Sequence, residues 1–234
     1  MLYSVEMGIS VYIADVQPLL TPEVFERLVS HVPAYRQAKA RRFKFPSGRA
    51  QSLAVGLLLK KACEDFGIAG ADEHVVFDEN GKPEFADVKD FHFNLSHSHE
   101  RAMCVISPYE VGCDVELVEH EKMRLAERFF TSEECSWISK QGDDRAFYRI
   151  WTLKESYMKV TGLGMSLAPD SFVLRFDERG GISVYRDGAR SEYFFSELNK
   201  NDGYCYAYCI KTAEKKDIVN KIKANFVDFT KMFF

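Results

Sequence analysis

Two carboxylates placed two residues apart interrupt an otherwise apolar run at Val111 to Leu117, VGCDVEL. The run reads as a strand, in which successive side chains point to opposite faces. Val111, Cys113, Val115 and Leu117 then share one face, while Asp114 and Glu116 share the other, away from the core. Cα atoms at that spacing are about 6 to 7 Å apart. Carboxylates within about 5 Å of one another repel by roughly 3 kcal/mol at an effective dielectric near 20. Water, a basic side chain or a divalent cation can each offset that repulsion. A solvated strand face is the plain alternative, and the pair alone does not separate it from a cation site.

A second group lies on the helical segment around WTLKESYMKV. Ile150, Leu153, Tyr157 and Val160 line one side, with Trp151, Glu155 and Lys159 roughly opposite. Glu155 and Lys159 alone would be a surface pair contributing a few tenths of a kcal/mol. Trp151 on the same side argues for more, since a large aromatic is seldom turned to bulk water without a partner. If Glu155 meets Asp114 and Glu116, the result is an all-oxygen site suited to Mg²⁺, which keeps some waters and binds substrate phosphates. His92, His97 and His99 make a weaker zinc pattern, with no cysteine at ligand spacing. Ser96 and His97 are adjacent on an extended chain and point apart, which disfavours a nucleophile and base pair.

The chain that must position these groups has 234 residues and a formal net charge of -4, so bulk attraction to nucleic acid is not expected. No apolar run approaches the roughly 20 residues of a membrane span. The N-terminal MLYSVEMGISVYIADV lacks a basic start and contains Glu6 and Asp15, so it reads as a first strand rather than a signal peptide. Six cysteines without a CxxC pair suit a reduced cytosol. Between Tyr35 and Arg49 lie Arg36, Lys39, Arg41, Arg42, Lys44 and Arg49 with no acid among them: a solvated helix face, or a phosphate site.

Thr21-Pro22-Glu23 marks a helix start, and a second helix is expected from about Ser47 to Phe66, ended by Gly67. VVFDENGKPEF turns at Asn80-Gly81, and FHFNLSHS and AMCVIS are strand-like. Thr131 to Glu134 is a capping box, and the helix carrying Glu155 ends at Gly162 and Gly164. SFVLRF, ISVYR, EYFFSEL and YCYAYCI read as antiparallel strands. After Ala213, Ile218, Val219, Ile222 and Phe226 fall at helical spacing and predict an amphipathic closing helix. The fold class is α+β, in two similarly sized halves, 1–108 and 109–234, meeting near residue 109.

NLSHS at Asn94 to Ser98, GCDVE at Gly112 to Glu116 and WTLKESYMKVTGLG at Trp151 to Gly164 together resemble the signature motifs of the 4′-phosphopantetheinyl transferases, in their larger, surfactin-synthetase-activator type. NGKP and KARRF extend the likeness over most of residues 35 to 175. The resemblance implies transfer of phosphopantetheine from coenzyme A to a serine of an apo acyl or peptidyl carrier protein, with release of adenosine 3′,5′-bisphosphate. It implies a pseudo-twofold pair of halves, coenzyme A as substrate between them, a cytoplasmic monomer, and a place in fatty acid or secondary metabolite biosynthesis. Carried over, Asp114, Glu116 and Glu155 would hold Mg²⁺, or Mn²⁺ in its stead. Lys159 would face the phosphate under attack, with Glu155 or a metal-bound water as base. Ser96 and His97 would touch the phosphoadenosine, Lys82 would reach a phosphate, and Arg36 and Lys39 would take the 3′-phosphate. Arg36 stands where the family often has lysine, and Ser52 where a small hydroxyl residue is usual. The rival readings are a Mg²⁺-dependent nucleotide phosphohydrolase and a non-catalytic module binding coenzyme A or a carrier protein.

Overall fold

The computed structural model describes residues 8–120, 122–212 and 222–232. The chain opens with β1 (Ile9–Asp15), α1 (Pro22–Val29), α2 (Ala34–Arg42) and α3 (Pro46–Asp65). A short hairpin follows, β2 (Val75–Phe77) and β3 (Pro83–Phe85), then β4 (His92–Ser98), β5 (Arg101–Ser107) and β6 (Val111–Leu117). Next come α4 (Met123–Phe129), α5 (Ser132–Gln141) and α6 (Asp144–Thr161). The chain closes through β7 (Phe172–Phe176), β8 (Ile182–Arg186), β9 (Ala189–Arg190), β10 (Tyr193–Leu198), β11 (Tyr204–Lys211) and β12 (Ile222–Val227). The α+β class read from the sequence is the one that forms.

Two sheets carry the core, ordered β12-β1-β5-β4 and β10-β11-β6. Between them Ile9, Val11, Ile13, Met103 and Val105 interlock with Val111, Cys113, Val115, Tyr206 and Tyr208. On its other side the first sheet packs Tyr12, Phe93, Cys104 and Ile106 against Leu53 and Leu57 of α3. The second packs Ala207 and Cys209 against Leu153, Tyr157 and Val160 of α6. The layers are therefore helix, sheet, sheet, helix, which explains why β1 and β11 are apolar on both faces. The predicted capping box forms: Thr131 Oγ1 accepts from the Glu134 amide at 3.3 Å, and Glu134 Oε2 accepts from the Thr131 amide at 3.0 Å. Gly162 ends α6 with φ +69, a conformation that favours glycine.

Two expectations are corrected. The alternation along β6 is as read, but the face of Asp114 and Glu116 does not look away from the core; it lies under α6, and Asp114 is buried. Gly112, on that same face, makes this approach feasible: a Cβ there would fall 2.1 Å from the Ser156 carbonyl oxygen and 2.4 Å from the Val160 nitrogen. The predicted closing helix is, over Ile222–Val227, a strand paired parallel to β1, with Ile9 opposite Ile222 and Ala14 opposite Val227. Pairing satisfies the otherwise open edge of the buried β1, a demand that the helical spacing of Ile222 and Phe226 does not reveal. Ile218 and Val219 lie outside the described residues. β12 thereby joins residues beyond 220 to the sheet of the first half.

Candidate active site

Asp114 is the most enclosed of the three acids. Its Oδ1 accepts from Lys159 Nζ at 2.7 Å and from Ser96 Oγ at 2.8 Å, while Oδ2 is buried without a hydrogen-bond partner. Lys159 also donates to the Cys113 carbonyl at 3.0 Å and to Ser96 Oγ at 3.2 Å. Burial alone would lower the Lys159 ammonium, but the Asp114 charge and hydrogen bond outweigh it, with Cys113 and Glu155 adding, and the group is held above the usual lysine value. Of the three ways to offset repulsion on this strand, a basic side chain is the one that answers Asp114.

Glu116 accepts from Ser98 Oγ at 2.7 Å. Burial and then the Asp114 charge push its carboxyl up to about 7. Glu155, one turn before Lys159 on α6, is raised by burial and then by Asp114. The three acids thus share one electrostatic neighbourhood, in which Lys159 is the close cation among the described residues. Among the described residues they do not form a closed ligand cluster. Their donor type nonetheless fits a hard divalent cation: all oxygen, excess negative charge, and one buried carboxylate oxygen with no partner.

A cleft of about 240 Å³ opens beside this group, lined by Lys82, Asn94 and Leu95 on one side and Met158, Lys159, Gly162 and Gly164 on the other. Lys82 reaches across it, donating to the Val160 carbonyl near the end of α6 at 3.1 Å. Asp78 orders this turn by accepting from the Asn80 and Lys82 amides. His97 is held below the usual imidazole value by its crowded surroundings and by the Lys159 and Lys39 charges, although its edge remains exposed. That shared influence ties Lys39 to the same region. Arg36 is buried, its stem seated at Gly56, where a Cβ would fall 2.8 Å from Arg36 Cγ. Its Nε, and the buried Oγ of Ser52 one turn before Gly56, have no hydrogen-bond partner. Lys39 is lowered by its crowded surroundings and by the Arg36 charge. Arg36 is thus the buried member of the basic run, while Lys39, Arg41, Arg42, Lys44 and Arg49 are exposed, as on a solvated helix face.

Several contributors were not singled out from the sequence. Ser98 and Asn94 bond to β6, and the signal for them is the spacing of two between small polar residues in NLSHS. Lys154 is almost wholly buried beside Glu155; its Nζ meets Glu134 at 2.8 Å and donates to the Pro169 and Phe172 carbonyls, each at 2.7 Å. Nothing in its spacing distinguished it from a surface lysine. Trp151 packs into an aromatic cluster with Phe129, Phe130 and Phe147, which supplies its missing partner. His92 is the first residue of β4 and His99 follows its last, Ser98. A second depression, of about 280 Å³, lies near the start of α6, but there Arg149 pairs with Glu197 and Arg145 donates to the Tyr204 carbonyl. Its charges answer one another.

Known proteins match this chain in sequence over most of its length. A family model described as the 4′-phosphopantetheinyl transferase superfamily matches residues 110–209, the span that holds β6 and α6. The 4′-phosphopantetheinyl transferase ffp of Bacillus subtilis is 33% identical over 194 residues, covering 81% of this chain and 87% of that protein. The 4′-phosphopantetheinyl transferase Sfp of Bacillus subtilis strain 168 is 30% identical over the same coverage. The corresponding enzyme gsp of Aneurinibacillus migulanus is 31% identical over 80% of this chain and 79% of its own length. Among solved structures, the holo-[acyl-carrier-protein] synthase of Helicobacter pylori in complex with coenzyme A aligns with a TM-score of 0.36 and 16% identity, over 43% of this chain and 97% of that one. On the extent and identity of the sequence matches, the chain belongs to the 4′-phosphopantetheinyl transferase superfamily.

Proposed function

We propose that the protein moves the 4′-phosphopantetheine group of coenzyme A onto a serine of an apo acyl or peptidyl carrier protein. The observation that carries this reading is the buried Asp114, bonded to Lys159 and Ser96 beside the cleft and raising Glu116 and Glu155. In the reaction the serine oxygen attacks the phosphorus bearing the pantetheine arm. The bond from that phosphorus to the bridging oxygen breaks, and adenosine 3′,5′-bisphosphate leaves. Glu155 takes the serine proton; a carboxylate raised by burial is a stronger base once ionised. Lys159 neutralises charge building on the attacked phosphate.

Arg36 and Lys39 hold the 3′-phosphate in this reading, which is supported by Arg36 Nε and Ser52 Oγ being buried without a hydrogen-bond partner. Lys82 turns from the Val160 carbonyl to a pyrophosphate oxygen, and Ser96 and His97 border the phosphoadenosine. Asp114, Glu116 and Glu155 are the residues that would hold Mg²⁺ or Mn²⁺, which when bound supplies charge neutralisation on the pyrophosphate. Two halves, 1–108 and 109–234, flank the cleft in this reading, with β12 crossing back. Among the described residues no helix is long and apolar enough to cross a membrane. The six cysteines are free, in keeping with a reducing cytoplasm, and the enzyme acts as a monomer in this reading.

The test incubates the protein with MgCl₂, coenzyme A and a panel of apo carriers of fatty acid, polyketide and nonribosomal peptide synthesis, read by intact mass. A carrier heavier by one phosphopantetheine is the expected result. Nucleotide release with every carrier unmodified would instead indicate a phosphohydrolase, and no turnover would indicate a binding module.

A further inference from the structure

The strands β4 and β6 are edges of different sheets and share no backbone ladder. Side chains of β4 join them. Asn94 Oδ1 accepts from the Cys113 amide at 2.9 Å, Ser96 Oγ from the Val115 amide at 3.4 Å, and Ser98 Oγ from the Leu117 amide at 3.4 Å. The spacing is two on both strands, so three alternate side chains of one edge cap three alternate donors of the other. Each serine makes a second bond that the asparagine does not. Ser96 donates to Asp114 at 2.8 Å, and Ser98 donates to Glu116 at 2.7 Å. A hydroxyl both donates and accepts, so each serine ties the amide of one β6 residue to the carboxylate of the residue before it. Opposite Asn94 the residue before Cys113 is Gly112, which has no side chain to hold. The serines begin where the acids begin.

We propose that Asn94, Ser96 and Ser98 form a ladder that fixes the register of β6 against β4, and that Ser98 is a positioning residue which aims the Glu116 carboxylate. Ser98 is buried, so water does not readily replace its hydroxyl. The same Oγ lies 3.2 Å from His99 Nδ1, whose residue has φ +48 and turns the chain out of β4. Without the hydroxyl, the Leu117 amide and Glu116 Oε2 each lose their partner, and Glu116 becomes free to swing away from Asp114. The consequence for transfer rests on Asp114 and Glu116 being the acids of the site; the ladder itself does not.

The test uses the full chain with Ser98→Ala, Ser98→Thr, Ser98→Cys and Glu116→Gln. Transfer is titrated with MgCl₂, and the rise in melting temperature on adding MgCl₂ with coenzyme A is measured separately. For Ser98→Ala the apparent Mg²⁺ constant is expected to rise about tenfold, the scale of one charge-assisted hydrogen bond, and the ligand-induced rise in melting temperature to shrink. Ser98→Thr restores both; Ser98→Cys falls between. A wild-type Mg²⁺ constant together with a wild-type ligand-induced rise in Ser98→Ala overturns the proposal, whatever its basal melting temperature. If that variant does not fold, wild-type values in Ser98→Cys overturn it instead. Glu116→Gln separates the two levels: if it is inactive while Ser98→Ala behaves as wild type, only the positioning role fails. If Glu116→Gln transfers normally, the assignment of Glu116 fails and the positioning role of Ser98 with it, whereas the ladder of Asn94, Ser96 and Ser98 does not depend on that assignment.

Discussion

Asp114→Ala is the substitution whose outcome the structure changes most. On a solvated strand face it would leave stability untouched, or raise it by relieving repulsion. In the folded chain its side chain is 5% exposed and bonded to Lys159, which is 29% exposed. Removing one partner of a fully buried ion pair costs about 3–5 kcal/mol. Lys159 keeps part of its length in water and has Glu155 nearby, so the cost here is discounted to about 2 kcal/mol. For a chain of this size each kcal/mol shifts the melting temperature by roughly 2–4 °C, so the ligand-free variant is expected to melt roughly 4–8 °C lower. Transfer to an apo carrier is expected to fall about 10²–10³-fold, the scale of losing one preorganised electrostatic contact to the transition state. Wild type gains stability from MgCl₂ with coenzyme A by mass action, and the variant gains little. Intact-mass transfer assays paired with melts of both proteins, with and without ligands, check each part. Near wild-type transfer refutes the catalytic assignment, and an unchanged ligand-free melt refutes the burial argument.

Arg36→Ala combined with Lys39→Ala is expected to weaken binding of coenzyme A at least tenfold more than binding of its 3′-dephospho form; equal losses by calorimetry remove the 3′-phosphate assignment. Glu116 titrates near 7 when folded against 4.5 unfolded, raised by burial and Asp114. Between those values the folded state keeps a proton that the unfolded state has released, so this group makes ligand-free stability fall as pH rises from about 4.5 through 7. Glu155, also raised, acts in the same direction. Melts across that window should show a shallower decline in Glu116→Gln, and identical pH profiles would contradict the raised carboxyl. Gly112→Ala sets a Cβ 2.1 Å from a helix carbonyl oxygen and 2.4 Å from a helix nitrogen. Neither atom can swing aside as a side-chain tip does, so a loss of about 3 kcal/mol or more is expected. A wild-type melt for that variant would mean the helix does not lie this close.

Much of the fold was legible because its signals are local. The period of two in VGCDVEL, the spacing of Leu153, Tyr157 and Val160, the capping box at Thr131 and the Asn80-Gly81 turn depend on neighbours in the chain, and each element forms where those signals lie. The three motifs also carried the family, since residue type and order survive without coordinates. What failed was the far end: Ile222 and Phe226 obey a helical spacing, yet the open edge of β1, more than two hundred residues earlier in the chain, takes them as a strand.

The sequence by itself determined which residues are acids, which are cations, and that Asp114 and Glu116 share a strand face. Only the tertiary structure decided what covers that face. Whether a carboxylate meets water, a lysine or a buried void depends on how closely α6 approaches β6, which Gly112 permits and no pattern along one strand encodes. The same holds for Lys154 and Ser98. One looks like a surface lysine and the other like a polar strand residue until Glu134 and Glu116, distant in sequence, are brought against them. Side-chain chemistry is fixed by the sequence, but the dielectric, charge and donors around each group are contributed by segments that meet only on folding, and those decide what the chemistry does.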